Sequence, residues 1–117
     1  MSTTSVGRGG ETQAKEYLER LGYLLLRQNY RNGPREIDLV MQDKETIVFV
    51  EVKARSRTSY GTPGEFVTRA KQRQLTLAAE AYLFQERLTD RSARFDVVEV
   101  YLLTGEIHHI PNAFDAC

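Results

Sequence analysis

The stretch Thr46-Ile47-Val48-Phe49-Val50-Glu51-Val52-Lys53 decides the fold. Its first five residues are β-branched or aromatic and carry no charge, the composition of a strand covered on both faces. Such a strand belongs at the centre of a sheet with helices on either side. Upstream, Asp43-Lys44-Glu45 turns the chain, and Glu36 to Gln42 reads as a second strand. Asn32-Gly33 is a hairpin signal, preceded by a strand from Tyr23 to Tyr30. Further back, Ala14, Tyr17, Leu18 and Leu21 repeat at i, i+3, i+4 and i+7, which predicts a helix over 9–21 closed by Gly22 as a left-handed cap. Residues 1–6 are polar and are expected to be frayed and disordered.

Downstream lies a polar loop, Ala54 to Gly64, broken by Gly61, Pro63 and Gly64. A helix follows from Glu65 or Thr68 to about Arg87, with Leu75, Ala78, Ala79, Tyr82 and Leu83 as its apolar stripe. Arg94 to Leu103 is a fourth strand, Thr104-Gly105-Glu106 a turn, and Ile107 to Ile110 a short fifth strand. The order αβββαβ predicts an α/β fold, a mixed central sheet flanked by helices, in a single domain spanning 1–117.

Composition narrows the function classes. With 41% hydrophobic and 27% charged residues, the 117-residue chain is neither disordered nor fibrous. No apolar run approaches the roughly 20 residues of a membrane helix, and Met1 to Gly10 has no apolar signal-peptide core. The single cysteine, Cys117, can form neither an internal disulfide nor a Cys-x-x-Cys metal site, and fits a free thiol in a reducing, cytoplasmic setting. Net charge is zero, which argues against a surface that binds nucleic acid everywhere. The charge is uneven, however: Lys53 to Arg73 carries six basic residues and one acid, and the remainder is correspondingly acidic. Such a run is either a solvated face or a polyanion-binding strip.

Several charged residues fall at positions that should face inward. Glu51 and Lys53 point to the same side of their strand. Taken alone, Glu-x-Lys also fits an ordinary strand-end ion pair. In the preceding strand, Ile37, Leu39 and Met41 share one face, and Glu36, Asp38 and Val40 the other. Asp38 stands between two aliphatics, where an acid needs a partner or a capping contact. Glu11 lies on the apolar stripe of the first helix, although a first-turn acid also suits the helix dipole. Gly9 and Gly10 before it leave room for close backbone approach. Lys71 aligns with Leu75, Ala78 and Tyr82 and leans toward the sheet, with Gln72 on the neighbouring edge. A snorkelling lysine would align the same way.

Together these residues suggest a hard-oxygen metal site for Mg²⁺ or Mn²⁺. The cation, held by Asp38 and Glu51, could activate a water and neutralise a phosphate oxygen, with Lys53 orienting the water or stabilising developing charge. Arg55, Arg57 and Lys71, with Tyr60 between them, could hold a polyanionic backbone. His108-His109 is a tandem pair whose side chains should face opposite ways, so joint chelation is not expected.

At this level the sequence resembles the PD-(D/E)XK restriction-endonuclease-like superfamily, and more closely the YraN family of small bacterial proteins. The resemblance rests on Gly7-Arg8-Gly9-Gly10-Glu11, Glu36-Ile37-Asp38-Leu39-Val40, Phe49-Val50-Glu51-Val52-Lys53-Ala54-Arg55 and Arg94-Phe95-Asp96-Val97-Val98, and spans residues 7–114. It implies a restriction-endonuclease-like fold related to Holliday-junction resolvases. It further implies Asp38 and Glu51 as metal ligands with Glu11 completing the set, Lys53 as the catalytic lysine, and Lys71 and Gln72 as a basic and polar border. One position departs: Arg35 stands where the family usually carries Gly. The implied activity is metal-dependent hydrolysis of DNA phosphodiesters, with branched or structured DNA suggested by the resolvase analogy. A homodimer would follow if the substrate is a duplex or junction. The alternatives are a nucleic-acid-binding or genome-maintenance protein that keeps the fold without cleaving, and an interaction module whose acids form a structural network.

Overall fold

A computed structural model describes the backbone of residues 3–55 and 67–117, and the side chains of 9–55 and 67–117. Residues 56–66, which hold Arg57, Tyr60 and most of the expected polar loop, lie outside it. The elements are α1 (Thr3–Arg20), β1 (Leu24–Asn32), β2 (Arg35–Asp43), β3 (Thr46–Arg55), α2 (Arg69–Gln85), β4 (Ala93–Tyr101) and β5 (Glu106–Phe114). The five strands lie side by side in chain order. Pairs β1/β2, β2/β3 and β4/β5 are antiparallel; β3/β4 is parallel, with α2 in the crossover. This is the mixed α/β architecture expected from the αβββαβ order.

The core forms two layers. On one face, Tyr30, Ile37, Val40, Ile47, Phe49 and Phe95 pack against Leu75, Ala78, Ala79 and Tyr82 of α2. On the other, Leu39, Met41, Val48, Val50, Val98 and Val100 pack against Ala14 and Leu18 of α1. Consecutive β3 residues therefore alternate between the layers, which is why that strand is apolar on both sides. Thr68 caps α2, its hydroxyl accepting from Lys71 N–H at 3.1 Å.

Four expectations are corrected. Helix α1 begins at Thr3, so the residues from Thr3 on in the segment expected to be frayed are helical; a Thr/Ser stretch has no apolar period to reveal it. Leu21 is not on the buried stripe but 52% exposed, because the helix ends one residue earlier. There Gly22 takes φ +98°, its N–H donating to Glu19 O and that of Tyr23 to Leu18 O, a Schellman closure that turns Leu21 outward. Strand β5 is nine residues long, its pairing with β4 shifting register at a bulge opposite Asp96 and resuming at Phe95/Phe114. Finally, Ile37 does not share a face with Leu39 and Met41: it packs with Val40 in the α2 layer.

That last irregularity marks a split in the sheet. Pairing of β2 with β3 runs from Asp43/Thr46 to Leu39/Val50 and stops, whereas β3 stays paired to β4 as far as Arg55/Tyr101. At the split the Asp38 side chain replaces the lost ladder, its Oδ2 accepting from Val52 N–H at 2.8 Å. Opposite Asp38 on β1, Asn29 takes φ 54°. A second polar tie lies on the α1 side. Fully buried Asp96 accepts from Arg94 Nε (3.0 Å) and Asn112 N–H (2.9 Å) and pairs with His109 Nε2 (2.8 Å). Arg94 also reaches the Tyr23 hydroxyl and Asp43. Burial raises the Asp96 carboxyl, but His109, Arg94 and Asn112 outweigh it and hold the group below its ordinary value. No helix among the described residues is long and apolar enough to cross a membrane.

Helix α1 is docked through Gly10. A Cβ there would stand 2.7 Å from the Ala54 Cβ on β3, whereas one at Gly9 would meet nothing within 4 Å. Gly10→Ala is therefore expected to push α1 off β3 and to cost about 1–3 kcal/mol as an overpacked contact. Gly9→Ala should be neutral or stabilising by up to about 1 kcal/mol through helix propensity. Chemical denaturation of both variants checks this, and equal stabilities would refute the docking role.

Candidate functional site

Beside the far end of β3, β2 no longer pairs with it, and this gap in the ladder is the notch. Glu51 comes from β3 and is 5% exposed. Asp38 comes from β2 at the point of divergence. Glu11 comes from α1, one residue after the Gly10 contact. The period of two along β3 puts Glu51 and Lys53 on the α2 side, where Lys71 approaches from the first turn of that helix. Glu51 Oε2 lies 3.7 Å from Lys53 Nζ and 3.6 Å from Lys71 Nζ. Both ammonium groups stand beyond hydrogen-bond range while remaining within ion-pair range.

The three carboxylates act on one another. Burial first, and then the Glu51 charge, push the Asp38 carboxyl up to about 8, against the Val52 N–H bond that favours its ionised form. Glu11 adds to the repulsion, and a hydrogen bond shared with Glu51 favours the protonated acid. Glu11 itself is raised, by burial and then by Glu36, with bonds to Asn29 and Gln28 working the other way. Left-handed Asn29 thus serves the site as well as the turn of the strand. Asp38 and Glu51 supply the hard oxygen donors a divalent cation prefers, in a setting where their mutual repulsion calls for a proton or a cation. As placed, no group of three or more His, Cys, Asp or Glu side chains among the described residues is close enough to hold a metal ion by itself.

The remaining expected residues scatter. Arg55 lies farther along β3, with Nε 3.1 Å from Glu99 Oε2. Arg57 falls in the stretch outside the described residues. Gln72 turns back on its own helix start, donating to Val67 O at 3.0 Å, and does not reach the notch. Arg35 donates to Gln74 Oε1 and ties β2 to α2. His108 and His109 do diverge, toward Glu99 and Glu106 and toward Asp96 respectively. Sequence reasoning missed Gln28 and Asn29, whose polar side chains in an aliphatic strand gave a faint signal, and Glu99. The last was findable: it interrupts Val97-Val98-Glu99-Val100-Tyr101 just as Asp38 interrupts its own strand.

The raised Asp38 carboxyl fixes a pH dependence. Between its ordinary value of 3.8 and about 8, the unfolded chain has released this proton and the folded chain keeps it. The contribution to stability is full below the lower value and lost as pH rises through the upper one. Asp38→Asn should therefore melt above the parent at pH 8, by a margin that shrinks toward pH 5. Mg²⁺ or Mn²⁺ should raise the parent's Tm at pH 8 and not the variant's. A margin independent of pH in thermal melts would contradict this assignment.

Comparison with known proteins is consistent across the chain. The family described as Uncharacterised protein family UPF0102 matches residues 10–100. A UPF0102 protein of Geobacter metallireducens is 47% identical over 114 residues, covering 95% of this chain and 93% of the relative. One from Caldicellulosiruptor saccharolyticus is 39% identical, covering 97% of this chain and all of the relative. One from Persephonella marina is 38% identical, over 93% and 92%. The chain, with its Asp38 and Glu51-Val52-Lys53 motif set in an αβββαβ fold, belongs to the UPF0102 family, the YraN group to which those motifs point.

Proposed function

We propose that this protein is a metal-dependent endonuclease that hydrolyses phosphodiester bonds of DNA, with branched or structured DNA as its preferred class. The observation that carries this reading is the notch itself. Two carboxylates that repel each other, a third within electrostatic reach and two ammonium groups stand together where the sheet divides. Bringing the half-buried Asp38 and the buried Glu51 together is unfavourable for stability alone. A divalent cation held by Asp38 and Glu51, with Glu11 at the margin, would polarise a phosphate oxygen and make water a nucleophile near neutral pH.

The chain's own groups supply the rest. Asp38 is kept in place by the Val52 N–H and shares a hydrogen bond with Glu51. Lys53 is 36% exposed and tethered to Glu51 by charge, a position from which its ammonium can orient a water or meet charge developing on the phosphate. Lys71 and Arg55 extend the positive surface along the path of a nucleic-acid backbone. One 13.4 kDa domain covers few base pairs, so a homodimer on duplex or junction DNA is part of this reading.

A second reading is a nucleic-acid-binding or genome-maintenance protein that keeps the fold without cleaving, favoured by the zero net charge. A cleavage screen on linear, nicked, flap and four-way DNA with Mg²⁺ and Mn²⁺ separates the two. The nuclease reading expects cleavage that falls at least about 100-fold in Asp38→Asn, Glu51→Gln and Lys53→Ala variants that remain folded. Binding that weakens steeply with salt, without cleavage of any substrate, would select the second reading.

A further inference from the structure

Past Lys53 the α2-side face of the sheet changes from apolar to polar. The register sets Lys53 of β3 beside Glu99 of β4, and Glu99 beside His108 of β5. In the next row stand Arg55, Tyr101 and Glu106. Glu99 is 1% exposed, as buried as the valines around it. Arg55 Nε lies 3.1 Å from its Oε2. The other oxygen, Oε1, has no hydrogen-bond partner among the described residues and has His108 Nδ1 4.0 Å away.

This is an expensive arrangement. An arginine and a carboxylate left to themselves form a two-pronged pair that satisfies both oxygens. Here one oxygen is gripped through Nε and the other is left without a donor, at a burial where an apolar side chain would cost less. Gripping a guanidinium by Nε fixes the plane of the group and the direction of its Nη edge, at a residue still 30% exposed. Arg55 lies two residues beyond Lys53 on the same face of β3. That advance is about 6.6 Å, a step comparable to the separation of neighbouring phosphates along an extended strand.

We infer that Glu99 is a positioning residue: it holds the Arg55 guanidinium in register with Lys53 so that Arg55 meets the backbone phosphate next to the one that reacts. The inference rests on the nuclease reading and adds to it a residue outside the acid–lysine set. It makes a prediction of unusual sign. Removing an acid from beside a polyanion should, on charge alone, tighten binding; removing a positioning acid should weaken it.

The test uses the full chain and a fluorescein-labelled four-way DNA junction, with affinity measured across a salt series in Ca²⁺. Glu99→Gln is expected to weaken binding and to lower the salt slope by about one, as does Arg55→Ala. In the Arg55→Ala background, Glu99→Gln should change nothing further. Arg55→Lys keeps the charge without the planar fork and should bind like Arg55→Ala; this variant decides the matter if Glu99→Gln does not fold. Tighter or unchanged binding in Glu99→Gln, an additive double variant, or parent-like Arg55→Lys would overturn the inference. If the parent binds no junction, the nuclease reading falls with it. If the parent binds and cleaves while the variants behave additively, only the role of Glu99 falls.

Discussion

The hydrogen bond from Val52 N–H to the Asp38 carboxylate is the constraint on which the rest of the site depends. A β-ladder ends where one strand runs out of partners, and the backbone groups beyond the end must be satisfied by something else. Here a side chain from the departing strand does it. Strand β3 can therefore continue alone with β4 for five more residues, and those residues carry Glu51, Lys53 and Arg55. Without the split, β2 would cover that edge of β3 and no notch would exist. Since the bond also favours ionised Asp38 while burial and Glu51 oppose it, one contact sets both the shape of the cleft and its charge balance.

The two helices reach this cleft for different reasons. α1 approaches because Gly10 allows its backbone against Ala54, which brings Glu11 to the notch from one layer. α2 is started by Thr68, and its first turn carries Lys71 to Glu51 from the other. Their apolar stripes bind them to opposite faces of a sheet that is doubly covered only in its middle. The polar row from Lys53 to His108 lies beyond that middle, where the register places charged groups side by side on three strands. The Asp96 tie among β2, β4, β5 and Tyr23, just ahead of β1, holds the sheet on the α1 side.

Much of this was legible in the sequence, for identifiable reasons. Apolar density in Thr46–Val50 declared a central strand, and helical periodicity placed Ala14, Leu18, Leu75 and Tyr82 in the two cores. Asp38 and Glu51 stood out as acids in apolar strands, and the structure does set them together. What the sequence could not show was the break in alternation between Ile37 and Leu39: a period of two assumes a regular pleat, and the split violates it. Nor could periodicity reveal the start of α1 among Thr and Ser, or the outward turn of Leu21. Glu99 obeyed the same rule as Asp38, but no motif drew attention to it.

The double duty of Asp38, in the ladder and in the charge balance of the notch, has a consequence for how this fold tolerates change. Its carboxylate also closes the backbone, so drift at that position would unlatch a strand, and only an isosteric acceptor such as asparagine would be tolerated. Glu51 is buried beside two ammonium groups, so its replacement costs an ion pair with each. In descendants of such a protein, asparagine at position 38 would still hold the strand, so only an acid kept at both 38 and 51 would preserve the charge balance of the notch.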